Sequence, residues 1–480
     1  MSAGDEAWVK PLRRRLGARH VLTSPAELLA YESDALTLFR CRPAAVVLPA
    51  HAEEVAFTME LLHRHGVVCT PRGAGTGLSG GALVPEGGVV LATTRMQAIR
   101  ELDVAERRVL VEPGVVNAAL SRAVEGHGLR FAPDPASQSV CTLGGNVAEN
   151  AGGPMCFLHG TTSNHVLAAE VVRADGRRER WGHLGAAADG PDLRGLLCGS
   201  EGSLAVAVGL WLRLVPRPER TVTMLAAYDT VATACDAVSA VVAAGLRPVA
   251  LEVMDQRAIE AVEDSVYRSG LPRHAGAVLL VEVEGHERQV EAEAAAIEDL
   301  LRGRGPLDFE RGEDPARRAA LWKGRKGAGG AIGRLAPDSY VMDGVVPRSR
   351  LAEIMRFVEE VEEETGLPVA NLFHAGDGNI HPHFAYDGRD PEQAAAVERA
   401  GARILERCLE LGGSLSGEHG IGLEKQHLLD RQYDEATLDA MRRVAACFDP
   451  DDRLNPGRGL PLGRGCAEAF HRHRREPLDA

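Results

Sequence analysis

Pro71-Arg72-Gly73-Ala74-Gly75-Thr76-Gly77-Leu78-Ser79-Gly80-Gly81 carries five glycines between positions 73 and 81. Backbone N–H groups in such a run can turn toward one point, and Arg72, Thr76 and Ser79 add side-chain donors. A diphosphate is the natural guest; a glycine-rich structural turn is the plain alternative. Gly75, Gly77 and Gly80 formally match the dinucleotide fingerprint G-x-G-x-x-G, but the context rejects it. That fingerprint opens a crossover helix. Here Pro85 and Gly87-Gly88 follow, and a new strand reads from Val89. The nine residues from Gly80 to that strand are too few for a crossover of about a dozen.

Working outward, Pro133-Asp134-Pro135 precedes Thr142-Leu143-Gly144-Gly145-Asn146-Val147-Ala148-Glu149-Asn150-Ala151-Gly152-Gly153. Small residues at this density let backbone approach a flat ring, while Asn and Thr side chains can satisfy its heteroatoms. A third segment, Gly199-Ser200-Glu201-Gly202-Ser203-Leu204, leads into an apolar strand.

The chain has 480 residues, enough for two or three domains. Its composition is that of a soluble globular protein, and a net charge of −14 argues against a nucleic-acid partner. Nine cysteines stand singly, with no Cys-x-x-Cys, which argues against a disulfide framework and an iron–sulfur cluster in this chain. No apolar h-region opens the chain, and the longest apolar run, 204–215, is broken by Arg213. The expected compartment is the cytoplasm, with membrane contact only through a partner. Arg13-Arg14-Arg15 reads as a solvated helix face.

Short strands are expected at 44–48, 67–70, 89–92, 108–111, 167–172 and 204–214, with one helix over 51–66. Pro216-Arg217-Pro218 marks a boundary, beyond which longer amphipathic helices appear. Leu351, Ile354, Met355, Val358 and Val361 recur at helical spacing. A second helix over 391–411 stops at Gly412-Gly413. Strands at 277–284 and 369–374 alternate with these helices, so the second domain is expected to be α+β.

Two motifs in the last quarter carry candidate chemistry: His374-Ala375-Gly376-Asp377-Gly378-Asn379-Ile380-His381 and Gly417-Glu418-His419-Gly420-Ile421-Gly422. A hairpin turn at 376–379 would bring both imidazoles to one side. Glu418 and His419 would point apart in a regular strand, but the flanking glycines allow a bend. His374, His381 and Glu418 make a three-ligand set with open positions, as in catalytic metal sites, leaving His419 to act as a base.

The motifs P-R-G-x-G-T-x-x-x-G-G, T-x-G-G-x-x-x-x-N-A-x-G and G-S-E-G resemble the flavin-binding domain of the vanillyl-alcohol oxidase superfamily. The last-quarter motifs resemble its FAD-linked oxidase C-terminal domain. The likeness runs from about residue 20 to 465. Ser339-Tyr340-Val341-Met342-Asp343-Gly344, the stretch 371–382 and the stretch 448–457 are similar to the D-subunit family of bacterial glycolate oxidases.

This resemblance implies an α+β fold in which a vanillyl-alcohol-oxidase-type FAD-binding domain of two α+β subdomains covers 1–215. An α+β substrate and metal domain covers 216–455, and a tail covers 456–480. It implies that Arg72, Gly73, Gly75, Thr76, Gly77, Ser79, Gly80 and Gly81 hold the FAD diphosphate. Thr142, Gly144, Gly145, Asn146, Ala148, Asn150 and Gly152 would border the isoalloxazine and ribityl, with the 166–172 backbone beside the adenine. Pro133, Asp134, Glu201, Gly202, Val206 and Asn455 complete the implied flavin contacts. The glycine loop lacks histidine, so the flavin is expected to be non-covalent.

By the same resemblance His374, His381 and Glu418 ligate a divalent metal (Zn, Fe or Mn), His419 is the base and Arg325 fixes the substrate carboxylate bidentately. Where a 2-hydroxyglutarate-type relative carries a lysine this chain has Met342, so a short 2-hydroxy acid, glycolate or D-lactate, is expected. His383 is a further pocket candidate, with a plain strand-face position as its alternative. The implied partners are a second flavin-domain subunit and an iron–sulfur subunit. The basic tail, Arg464 and His471 to Arg475, reads as a solvated tail, with partner docking as the alternative. Competing readings are a stand-alone FAD-dependent D-2-hydroxy-acid dehydrogenase, a non-catalytic flavin-domain assembly subunit and a flavin-independent metallohydrolase.

Overall fold

The computed structural model describes residues 5–185 and 190–460. The basic tail beyond 460 lies outside the described residues. The chain divides into two compact units. One comprises Met1–Ala151, Thr161–Pro216 and Glu418–Ala480; the other comprises Gly152–Gly160 and Arg217–Gly417.

The first unit contains a small sheet ordered Val21–Leu22, Ala45–Val47, Val89–Ala92, Cys69–Arg72. The last three strands are parallel. Helix Ala52–Arg64 makes the crossover, with Val55, Met59 and Leu62 fully buried beneath it. Residues 73–88 link Cys69–Arg72 to its parallel neighbour Val89–Ala92 without a helix, so the glycine loop springs from a strand end as irregular backbone. A five-stranded antiparallel sheet follows, ordered Ile99–Asp103, Arg108–Val111, Val206–Arg213, Val166–Val172, Arg178–Gly182. Helix Leu143–Glu149 inserts Leu143 and Val147 into its core beside Leu210 and Trp181. It ends at Asn150, which takes the left-handed conformation (φ 54°).

The first unit is closed by its own last segment. Leu454 bridges Cys69 in parallel, and the Asn455 N–H donates to the Cys69 carbonyl at 2.7 Å. The Asn455 side-chain amide donates to the carbonyls of Gly81 (3.0 Å) and Glu201 (2.5 Å), and its oxygen accepts from Thr70 Oγ1 (2.8 Å). Arg458 donates to the carbonyls of Gly80 and Leu83. The sequence reading carries the second domain through to 455, whereas residues from Glu418 onward group with the first unit. These hydrogen bonds to the glycine loop are the physical reason.

The second unit is built on an antiparallel sheet ordered Asp308–Gly312, Arg220–Tyr228, Ala277–Gly285, Ala250–Asp255, Val369–His374, Asn379–Ile380, Gly344–Val345. Pro382–Tyr386 also pairs with Val369–His374 and carries Asp338–Val341 on its other edge. Helix Leu351–Thr365 buries Leu351, Ile354, Met355, Val358 and Val361, the stripe read from the sequence, and stops at Gly366 (φ 66°). Helix Pro391–Glu410 starts under an Asp390 cap and precedes Gly412 (φ 84°). No helix among the described residues is long and apolar enough to cross a membrane.

Candidate active site

The glycine loop, the helix Leu143–Glu149 and the segment 200–207 line one cavity of the first unit. Its wall is unusual in what it lacks. A Cβ at Gly77 would meet no atom within 4 Å, and Gly77 has no positive φ to demand glycine. At Gly145, in mid-helix, the nearest atom to such a Cβ would be Thr142 Oγ1 at 3.5 Å. Neither backbone strain nor protein packing explains these two glycines; a bound group occupying the space does. Buried polar atoms point the same way. Arg72 Nη1 and Thr142 Oγ1, both of wall residues, are buried without a hydrogen-bond partner, which is costly unless a ligand satisfies them. Other loop glycines serve the fold: a Cβ on Gly73 would strike Thr142 Oγ1, and Gly75 (φ 72°) packs on the Arg72 guanidinium.

Of the residues expected to contact flavin, Arg72, Gly73, Gly75, Thr76, Gly77 and Gly81 are on the cavity wall. So are Thr142, Gly144, Gly145, Asn146 and Ala148, together with Glu201, Gly202 and Val206. Seven others are off it. Ser79 is fully buried, and its carbonyl accepts from Leu423 (2.8 Å) and Glu424 (3.2 Å). Gly80 packs against Leu423. The Pro133 carbonyl accepts from Asn117, and Asp134 is buried. Asn150 caps its helix and accepts from Ser163 N–H at 2.8 Å, while Gly152 belongs to the second unit. Asn455 spends its amide on backbone.

Glu418 and His419 line this same cavity. The turn after them is clamped within the first unit. Glu201 accepts from Ile421 N–H at 2.7 Å and from Gly422 N–H at 2.9 Å, and Lys425 Nζ donates to the Gly420 carbonyl at 3.0 Å. Glu201, expected as a flavin contact, thus has its carboxylate committed to the turn that follows His419. Burial pushes the Glu201 carboxyl up, against the pull of those two N–H groups. Glu149, on the cavity wall with Oε2 unpartnered, is raised well above the usual carboxylate range by burial and then by Glu201 and Asp34. Neither Glu149 nor Lys425 stood out in the sequence; a lone acid within a small-residue run was the available signal for Glu149.

In the second unit His374 ends its strand opposite Asn379, and the intervening turn carries Gly378 at φ 83°. A Cβ there would strike the Val346 carbonyl, so glycine is required. The turn brings the His374 and His381 rings to 5.2 Å between centroids, nearly perpendicular. His381 Nδ1 lies 2.9 Å from the Met342 carbonyl, an acceptor only, so Nδ1 carries a proton and the neutral ring has its lone pair on Nε2. His374 Nδ1 lies 2.8 Å from Glu252 Oε1. Asp343, fully buried, accepts from Asn379 Nδ2 (3.1 Å), Ser416 Oγ (2.6 Å) and Gly417 N–H (3.2 Å), tying this hairpin to the residue preceding Glu418 in the chain. Two imidazoles whose Nδ1 atoms are already engaged suit a borderline metal such as zinc.

Two expectations change. Arg325 is 4% exposed and pairs with Glu252 at 2.5 Å. It is therefore not simply an open carboxylate clamp, although its Nε is buried without a partner. Met342 packs its thioether against Gly401 and is fully buried, so position 342 lines the core and says nothing about the far end of a substrate. Glu252 itself was missed. Its signal was one carboxylate inside the apolar run Val249-Ala250-Leu251-Glu252-Val253-Met254.

Residues 217–458 match the family model of FAD linked oxidases, C-terminal domain, and residues 43–182 match that of an FAD binding domain. The chain belongs to the FAD-linked oxidase family. It is 42% identical to glycolate oxidase subunit GlcD of Escherichia coli (strain K12), over 96% of this chain and 93% of that one. It is 35% identical to a D-lactate dehydrogenase of Archaeoglobus fulgidus, over 86% and 90%. Among solved structures it resembles p-cresol methylhydroxylase with substrate bound, with a TM-score of 0.83 at 16% identity, covering 97% and 98%. That likeness carries the fold alone. The chain is an FAD-linked oxidoreductase of α+β architecture, as its glycine motifs implied.

Proposed function

We propose that this chain oxidises a short 2-hydroxy acid, with glycolate to glyoxylate as the favoured reaction. The carrying observation is that His419 shares a cavity wall with glycines whose missing side chains leave room for a flavin. Bound FAD supplies the hydride acceptor, and a divalent metal supplies the positive charge that acidifies the substrate hydroxyl. Arg72, Thr142 and the glycine-loop backbone hold the flavin without a covalent link. His419 takes the hydroxyl proton as general base. His374 and His381 would hold the metal, with Glu418 as the third ligand that the sequence motifs offer. The unsatisfied Nε–H of Arg325 is a donor for the substrate carboxylate.

The 42% identity to a glycolate oxidase subunit supports glycolate. That relative's name also supports work within a complex, which we extend to a second flavin-domain subunit and an iron–sulfur subunit. The likeness to a D-lactate dehydrogenase favours one second reading, a stand-alone D-2-hydroxy-acid dehydrogenase. Both are separated by the visible spectrum of the purified, metal-supplemented protein under anaerobic glycolate, D-lactate or D-2-hydroxyglutarate. Bleaching by glycolate supports the first reading, and bleaching only by D-lactate or D-2-hydroxyglutarate moves the substrate to the second. A flavin band untouched by all three would sink both.

A further inference from the structure

Strand Ala250–Asp255 lies between Ala277–Gly285 and Val369–His374, in the interior of the second unit's sheet. Interior strands favour apolar residues, and Leu251, Val253 and Met254 are buried here as expected. Glu252 is 1% exposed among them, a position where an ionised carboxylate is costly unless fully paired. Its register puts it directly opposite His374. Both its oxygens approach His374 Nδ1, at 2.8 and 2.9 Å, and Oε2 also meets Arg325 Nη2 at 2.5 Å. One carboxylate thus holds two groups that the proposed reaction uses, from strand Val369–His374 and helix Pro315–Ile332.

The consequence for His374 is chemical. A carboxylate facing Nδ1 requires the proton there, which in the neutral ring puts the lone pair on Nε2. His381 reaches the same tautomer through the Met342 carbonyl. Neutral rings set this way keep the Nε2 lone pair that metal ligation uses. Arg325 pairs with the same carboxylate through Nη2, leaving Nε without a partner.

We propose that Glu252 is a positioning residue, fixing the tautomer of His374 for metal ligation and orienting Arg325 for the substrate carboxylate. This rests on the metal reading above. Carboxylates behind metal-ligating histidines typically change metal affinity 10–100-fold when removed.

The test uses the full-length flavoprotein stripped with chelator and titrated calorimetrically with Zn²⁺ alone. Glu252→Gln keeps the shape but removes the negative charge that faces His374 and Arg325, and it puts an NH2 donor where one of the two oxygens approaches His374 Nδ1. It is expected to weaken zinc binding about 10–100-fold at unchanged flavin content. Wild-type zinc affinity in Glu252→Gln would overturn the proposal while leaving the metal reading intact. Wild-type protein binding zinc no better than His374→Ala would overturn the metal reading, and this proposal with it. A second measurement needs no variant: nitrogen-15 histidine spectra of the metal-free wild type should show His374 protonated at Nδ1. A proton on Nε2 instead would overturn the inference whatever the variants do.

Discussion

The candidate sites of the two units are shaped by opposite means. The cavity of the first unit is made by omission: Gly77 and Gly145 leave space that no neighbouring atom fills, and unpartnered donors such as Arg72 Nη1 wait at its edge. The histidine pair of the second unit is made by commission. His374 and His381 are each held by an acceptor behind the ring, and Glu252 is buried at the expense of an apolar strand position. A planar cofactor with many heteroatoms needs room and backbone. A small cation needs a few side chains with their lone pairs aimed.

That contrast can be broken at several points. The largest effect is expected at His419, which lines the cavity and is proposed to act by its side chain. His419→Ala should keep the flavin and slow anaerobic flavin reduction by about 10²–10⁴-fold, read by stopped-flow absorbance. Reduction at the wild-type rate would remove His419 from the chemistry.

Asn455→Ala deletes three buried hydrogen bonds behind the glycine loop and should lower the first unit's stability by about 3–4 kcal/mol. Thermal unfolding followed by flavin release reads this. Loss of zinc affinity before flavin would contradict the separation between the two regions.

Burial raises Asp34 from 3.8 to about 6. The folded first unit therefore holds a proton that the unfolded chain releases, and stability falls as pH climbs from about 4 to about 6. The loss attributable to this group is about 3 kcal/mol. Asp34→Asn should flatten that part of the profile in denaturant titrations; an unchanged slope would reassign it.

The smallest effect sharpens the comparison most. Gly77→Val fills space that is empty of protein, so it should leave the melting temperature of the apoprotein unchanged and weaken flavin binding by about tenfold. If flavin content holds at wild-type level, the cavity was not made by omission for this guest.

The cavity was legible because its signal is contiguous. Residues 73–81 and 142–153 declare themselves by glycine density, and the failure of 73–81 to open a helix was readable from Pro85 and the early strand at Val89. The His374–His381 hairpin was legible for the same reason. Glu252 was not, because it meets His374 across 122 residues of chain and looks from sequence like one polar residue in a strand. Met342 misled because position and direction are separate facts: its carbonyl serves His381 while its side chain fills the core beside Gly401. The regrouping at Glu418 left no mark in composition, since it depends on hydrogen bonds from Ile421, Gly422 and Asn455 to residues hundreds of positions earlier.

The Asn455 strap also sets a clock on biosynthesis. Its amide meets the Glu201 carbonyl, made 254 residues earlier. At 5–20 residues per second, Glu201 waits about 13–50 s on the ribosome for that partner, with the intervening second unit free to fold first. The glycine loop is then among the earliest parts of this chain to be synthesised and among the last to be finished. A nascent chain halted before residue 455 should have a folded second unit and no lasting hold on flavin.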